Sequence, residues 1–188
     1  MKKILVIALM AFVPCVSFAA KEYLEEVESE VHEVEGTVAE ISLIAKSCIA
    51  QNVRNEGVRI SDSAAGNGLF GVGSGPGQSD QVEGGSVIVS ADVEHGSITA
   101  NNRVDYRSKM LAHNVKSTMT FLAKDGKFKI RHTNIEYLQK STGSMRNSGY
   151  SRVGKWFGSG WKDAEKALSG VSDKVAECVK AGPEKENW

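Results

Sequence analysis

Four sets of residues have the types and spacing for chemistry. Gly66-Asn67-Gly68-Leu69-Phe70-Gly71 spells G-x-G-x-x-G. In a dinucleotide site that pattern must open a helix, whose N-terminal amides receive a pyrophosphate. Here further glycines and a strand-like run follow, so a turn with a glycine-spaced strand is expected and no cofactor. Ser159-Gly160-Trp161-Lys162 matches S-x-x-K at a helix start. Penicillin-recognising enzymes with that nucleophile also carry S-D-N and K-T-G, absent here. Ser159 is therefore read as a helix N-cap. His32, His95, His113 and His132 are scattered, with no metal-ligand spacing. His113 and His132 flank one hairpin and could approach each other across it, but strand histidines without metal are expected. Finally, Tyr150, Trp156, Phe157 and Trp161 interleave with Arg152, Lys155 and Lys162. Rings among cations suit a membrane interface, a glycan surface or a protein hot spot. They equally suit rings that dock the terminal helix onto a sheet. Trp188 is a further aromatic at the end of a charged tail.

The N-terminus bears on all of these. Lys2 and Lys3 precede an apolar run from Ile4 to Val13, and Pro14 breaks it. Ser17-Phe18-Ala19 places small residues at the −3 and −1 positions of a cut after Ala19. This is the pattern of a cleaved secretory signal, and the run is too short to span a bilayer. Phe12, Val13 and Pro14 before Cys15 are wrong for a lipoprotein signal. A periplasmic or extracellular address through a Sec-type signal is expected, with no transmembrane anchor after processing.

Cleavage leaves Cys48 and Cys178, an even count that in an oxidising compartment can pair. It also leaves 21 basic residues against 23 acidic ones. The distribution is uneven. Residues 21–40 carry eight Glu and one Lys, whereas residues 103–162 carry thirteen Lys or Arg and three acids. In an exported chain the basic half suits an anionic envelope surface or an acidic protein rather than nucleic acid. A solvated sheet face opposite the acidic N-terminal segment would account for the same charges.

The elements that must position these groups are legible in outline. Residues 20–30 form an acidic segment expected to be extended or frayed. A strand begins at Val31 and Val34 and ends at Gly36. Thr37-Val38-Ala39-Glu40 is a capping box, and Val38, Ile41, Ile44, Ala45, Cys48, Ile49 and Val53 then form one apolar helical stripe. Val58–Ser61 is a short strand, with a return strand expected over Leu69–Gly73 and a mobile Gly-rich loop over Ser74–Gly85. Ser86–Val93 alternates as a strand, and His95–Asn102 reads as a turn-rich link with room for a strand piece. Met110–Ala123 and Phe128–Leu138 form a hairpin around Asp125-Gly126, with a break in period that marks a bulge. Lys140–Gly160 reads as a linker, and Trp161–Lys180 as an amphipathic helix through Ala164, Ala167, Leu168, Val171, Val175 and Cys178. Cys48 and Cys178 lie on the apolar faces of the two helices, so side-by-side packing would let the sulfurs meet. Two buried thiols remain the alternative. The predicted domain spans residues 31–139, with 140–160 joining the 161–181 helix to it. Its class is α+β: a curled antiparallel sheet of about five to six strands with two helices on one face.

Three segments resemble a bacterial exported family of unknown function with a TATA-binding-protein-like (TBP-like) fold. They are Gly36–Val53, the Asp62-Ser63-Ala64-Ala65-Gly66 turn with its glycine-spaced strand to Gly73, and the hairpin Lys124-Asp125-Gly126-Lys127-Phe128-Lys129-Ile130-Arg131 with Thr133-Asn134-Ile135. The resemblance implies the fold and no catalytic or ligand residues. The function expected is a non-enzymatic binding module for a protein or envelope component, using Tyr150, Arg152, Lys155, Trp156, Phe157 and Trp161. The alternatives are an envelope enzyme with an unrecognised site and an inhibitor or immunity-type protein against an exported toxin. No cofactor, metal or nucleic acid is expected.

Overall fold

A computed structural model describes residues 21–61, 79–142 and 147–182. The expected leader with Cys15, the G-x-G-x-x-G segment, the predicted return strand over 69–73 and Trp188 lie outside the described residues. The elements run β1 (Val27–Glu28), β2 (His32–Glu33), α1 (Val38–Asn52), β3 (Val58–Ser61), β4 (Ser79–Val82), β5 (Ile88–Asp92), β6 (Ser97–Ser108), β7 (Leu111–Lys124), β8 (Lys127–Gln139), β9 (Ser151–Arg152) and α2 (Trp161–Ala181).

Four of these strands, β5-β6-β7-β8, form an antiparallel meander. The three two-residue strands β1, β2 and β9 all pair along the free edge of β8, which makes a sheet of seven strands among the described residues, and β3 and β4 pair separately. An open edge of β8 would expose a row of unpaired backbone groups; these short strands cover it. The α+β expectation holds, with both helices packed on one face of a curled sheet.

Local chemistry explains most boundaries. The Thr37 hydroxyl accepts from the Glu40 amide at 3.4 Å, and the Glu40 carboxylate accepts from the Thr37 amide at 2.9 Å. These two bonds close the predicted capping box; the Thr37 amide and, after it, the Thr37 hydroxyl, both donating to the Glu40 carboxylate, hold that carboxyl below its usual range. Asp125, in the β7–β8 turn, accepts from the amide of Val38 at 2.9 Å, so the hairpin itself satisfies a free N–H at the start of α1. The bulge falls at Asn134, whose φ is +52°, where the register with β7 shifts. Without that extra residue, alternation would turn Glu136 inward; with it, Ile135 faces the core instead.

Between the helices and the sheet the core has two apolar parts, and a third, smaller group around Leu138 lies apart from them. One gathers Ile41, Ala45, Ile49, Ile98, Met119, Phe121, Phe128, Ile130 and Val175 between α1, α2 and the sheet. The other gathers Leu24, Val27, Val115, Ile135, Val153 and Leu168. Burying each large apolar side chain stabilises by about 1.5–3 kcal/mol. Cys48 and Cys178 are bonded across the two helices, with Cα atoms 5.7 Å apart and a sequence separation of 130.

Several expectations need correction. The acidic N-terminal segment is docked rather than frayed: Leu24 and Val27 are buried, and Leu24 donates to the Val153 carbonyl. The expected strand from Val31 to Gly36 is only β2, and Val31 itself is exposed. β3 pairs with Ser79–Val82, inside the stretch read as a loop. The strand piece allowed for in the His95–Asn102 link is the opening of a much longer element, β6, a twelve-residue central strand. The linker contains β9 and the buried Val153. Ser159 does not cap α2: Gly160, left-handed at φ +77°, holds that position, and the Ser159 hydroxyl donates to the carbonyls of Gly154 and Trp156.

Candidate functional site

The only serine–histidine arrangement among the described residues is a row across the sheet. His132 on β8 bonds Ser117 on β7 at 2.9 Å through Nδ1 and Ser172 on α2 at 3.0 Å through Nε2. Asn102 on β6 donates to Ser117 at 3.3 Å. All four are buried, and His132 has no exposed surface. Burial lowers its pKa to about 4, so the ring is neutral and uses one nitrogen as donor and the other as acceptor. The row lies where the two apolar parts of the core meet. A nucleophile needs substrate within reach; this histidine is sealed, and its bonds register α2 against β7 and β8.

The other histidines stand apart from it. His113 pairs with Gln139 in register while His132 pairs with Met119, so the two do not meet. His113 stacks on Tyr106 and lies tilted to Tyr137. His95 is exposed on Asp92, and His32 packs on Phe128. No group of three metal-ligating side chains occurs among the described residues.

The structure divides the six predicted partner-binding residues. Tyr150 lies on the sheet face away from the helices, packed with Val58, Ile60 and Leu138. Its hydroxyl donates to Asn114, and Lys116 and Arg103 approach its ring at 4.6 and 5.7 Å. Burial pushes its pKa up. The neighbouring recess of about 290 Å³ is lined by polar groups such as Asn55, Asn101 and Asn134 that largely bond to the protein. Arg152 pairs with Glu25 and lies 4.1 Å from the centre of the Tyr23 ring. Lys155 pairs with Glu22 at 3.2 Å and stands over Trp161 at 5.4 Å. Trp161 is half-buried against the second core part. Four of the six thus hold the molecule together, and the acidic segment neutralises the basic residues beside it. Lys129 with Glu28 and Arg131 with Glu26 continue that pattern.

Trp156 and Phe157 remain. The Trp156 ring lies against the Gly154 backbone, so close that a Cβ there would sit 1.9 Å from it, and meets Tyr23 edge-on at 5.9 Å. Half of Trp156 is exposed, and Phe157 is fully exposed. The turn carrying them is tied to a second turn by Lys109, whose ammonium donates to the Gly158 carbonyl at 2.7 Å. That second turn is the two-residue connection Lys109-Met110 between paired Ser108 and Leu111. Both residues have positive φ, 49° and 68°. This is a type I′ geometry that normally takes Asn-Gly. Met110 is 95% exposed and Leu111 is 47% exposed. Sequence reasoning missed Met110 and Leu111 because it began a strand at Met110 and left residues 103–109 unassigned, which hid the turn. The signal available was the length of the polar-alternating stretch from Ser97 to Lys124, which exceeds any ordinary strand.

The assembled architecture can be compared with solved structures. Over 84% of this chain and 93% of the other, it superposes on a TBP-like protein from Parabacteroides distasonis with a TM-score of 0.53 at 11% identity. The fold is TBP-like. A DUF4468 family protein from Bacteroides ovatus aligns over 86% of this chain and 89% of its own, with a TM-score of 0.48 and 10% identity. No family model matches the sequence, and no curated protein matches it. At these identities the TBP-like comparison establishes architecture alone. The sheet and helices of this TBP-like fold hold the Lys109–Leu111 and Trp156–Phe157 turns side by side at one end.

Proposed function

We propose that the chain is an exported, non-enzymatic binding module that engages a protein or envelope component through the Lys109–Leu111 and Trp156–Phe157 end. The carrying observation is that Met110 and Phe157 stand almost wholly in solvent on two turns that Lys109 ties together. Large apolar side chains presented in this way are a cost to a free soluble chain and an asset to one that docks. The positive φ at Lys109 and Met110 adds backbone strain at the same place, a feature that clusters at functional sites.

Export is supported by the leader pattern of residues 1–19 and by the Cys48–Cys178 bond, which suits an oxidising compartment. The non-enzymatic reading is supported by the burial of His132 and its engagement on both nitrogens.

A photo-crosslinking residue at position 157, introduced in producing cells, tests this directly. Adducts at 157 and none at the exposed control position Glu94 are expected. Equal labelling at both positions, or none at either, would contradict the assignment.

A further inference from the structure

Resting on the reading that this end is the docking end, the geometry points to an anionic lipid surface as its partner. Phe157 and Met110 are the leading points, one fully exposed and the other 95% exposed, so neither lies in a groove or on a flat patch of its own chain. A protein hot spot meets a pocket of matching shape. Free-standing side chains on two convex turns are suited instead to a fluid apolar phase, which needs no matching pocket. Trp156 and Leu111, each about half exposed, sit one residue behind these points and would lie at headgroup depth.

The charges at this end complement that partner. Arg107 and Lys109 lead into the hairpin turn, and Lys162 follows Trp161 at the start of α2. None of these three pairs with a carboxylate among the described residues. Lys109 is held by a carbonyl, and Lys162 lies 5.5 Å from the centre of the Trp161 ring. Lys155 is already matched by Glu22 and is not counted. Cations around an apolar tip attract anionic headgroups while the tip enters the boundary of the acyl region. The tip is also held in shape before contact. The Ser159 hydroxyl pins the carbonyls of Gly154 and Trp156, and the Lys109 ammonium ties the two turns. Little conformational freedom is lost on docking.

Residues 20–188, which carry every element described with the disulfide formed, would be floated with phosphatidylcholine vesicles. One set would contain about a third phosphatidylglycerol, enough to set up a negative surface potential. Binding to the anionic vesicles is expected, with much weaker binding to phosphatidylcholine alone. Phe157→Ser should lower partitioning about thirtyfold, the loss of one buried aromatic side chain. Lys109→Gln and Lys162→Gln should each lower it about fivefold. Val89→Ser, at an exposed apolar position on β5, should change nothing. Phe157 touches no core, so that variant folds; its unchanged melting temperature is the control. Failure to float, or equal flotation of Phe157→Ser, overturns the lipid assignment. If the 157 crosslink then captures a protein, the docking end stands with a different partner. If it captures nothing, both readings fall together.

Discussion

The ammonium of Lys109 donates to the carbonyl of Gly158 at 2.7 Å, and this single bond joins two turns that are 49 residues apart in sequence. It brings Met110 and Phe157 to the same end of the molecule. The hairpin turn concerned uses Lys and Met where the backbone favours Asn and Gly.

Relieving that strain should separate stability from docking. Met110→Gly removes a side chain that has no core contact and suits φ +68°. It should raise the unfolding free energy by about 0.5–1 kcal/mol in urea titration while weakening docking at the 157 end. A variant less stable than the parent would show that the Met110 side chain is held by contacts within the chain.

The Cys48–Cys178 bond closes a loop of 130 residues between the two helices. In the chain-entropy model such a closure is worth at most about 4–5 kcal/mol. Reduction, or the double change Cys48→Ser with Cys178→Ser, should lower the unfolding free energy by about 2–5 kcal/mol. Denaturant titrations with and without reductant measure it. Identical midpoints would remove the bond from any account of stability.

His132 makes stability depend on pH with a definite sign. Its folded pKa, about 4, lies below the ordinary 6.5 because burial disfavours the charged ring. Its neighbours in the row, Ser117, Ser172 and Asn102, carry no charge. The unfolded state therefore binds more protons between these values. The stabilisation is full above about pH 6.5 and declines as pH falls toward about 4, by on the order of 3 kcal/mol. His32, also lowered by burial, adds to the same trend. His132→Gln should flatten the slope in this window by the larger share. Equal slopes for parent and variant would mean that the ring is not sealed.

At the N-terminus, apolar contacts should outweigh ion pairs. Leu24 is buried beside Val153, so Leu24→Ala should cost about 2–5 kcal/mol. The Glu25–Arg152 pair is more than half exposed on both sides, and Glu25→Gln should cost less than about 1 kcal/mol. Thermal melts of the two variants decide the order. The reverse ranking would make the segment an electrostatic clasp.

Where a local rule and the tertiary environment agreed, the sequence could be read. The Thr37–Glu40 box, the α1 and α2 stripes, the Asp125-Gly126 turn and the bulge near Asn134 each leave a mark within a few residues. β6 left only a weak mark, because its inward positions Ala100, Asn102 and Ser108 are small or polar between Ile98, Val104 and Tyr106. Asn102 faces in where the Ser117 hydroxyl, itself bonded to His132, accepts from its amide, which is a long-range fact. The docked acidic segment and β9 were hidden for a related reason. Two-residue strands carry no period, and Leu24, Val27 and Val153 are single apolar residues among charges.

The candidate site was half legible. Rings alternating with cations located the 150–161 segment, but composition could not tell docked rings from free ones. Trp161 and Tyr150 pack against buried apolar residues, Trp156 is half exposed, and Phe157 stands in solvent. Met110 and Leu111 were hidden because Ser108-Lys109-Met110-Leu111 contains none of the glycine or asparagine that usually betrays a tight turn.

The most direct measurement follows the methionine methyl groups. Met110 is almost fully exposed at the proposed docking end, and Met119 is fully buried between the sheet and helices. With carbon-13 in the methionine methyls, titration of the bound partner should shift or broaden the Met110 resonance and leave that of Met119 unchanged. Perturbation of Met119 alone, or a Met110 signal indifferent to a partner that demonstrably binds, would contradict the assignment of this end as the docking surface.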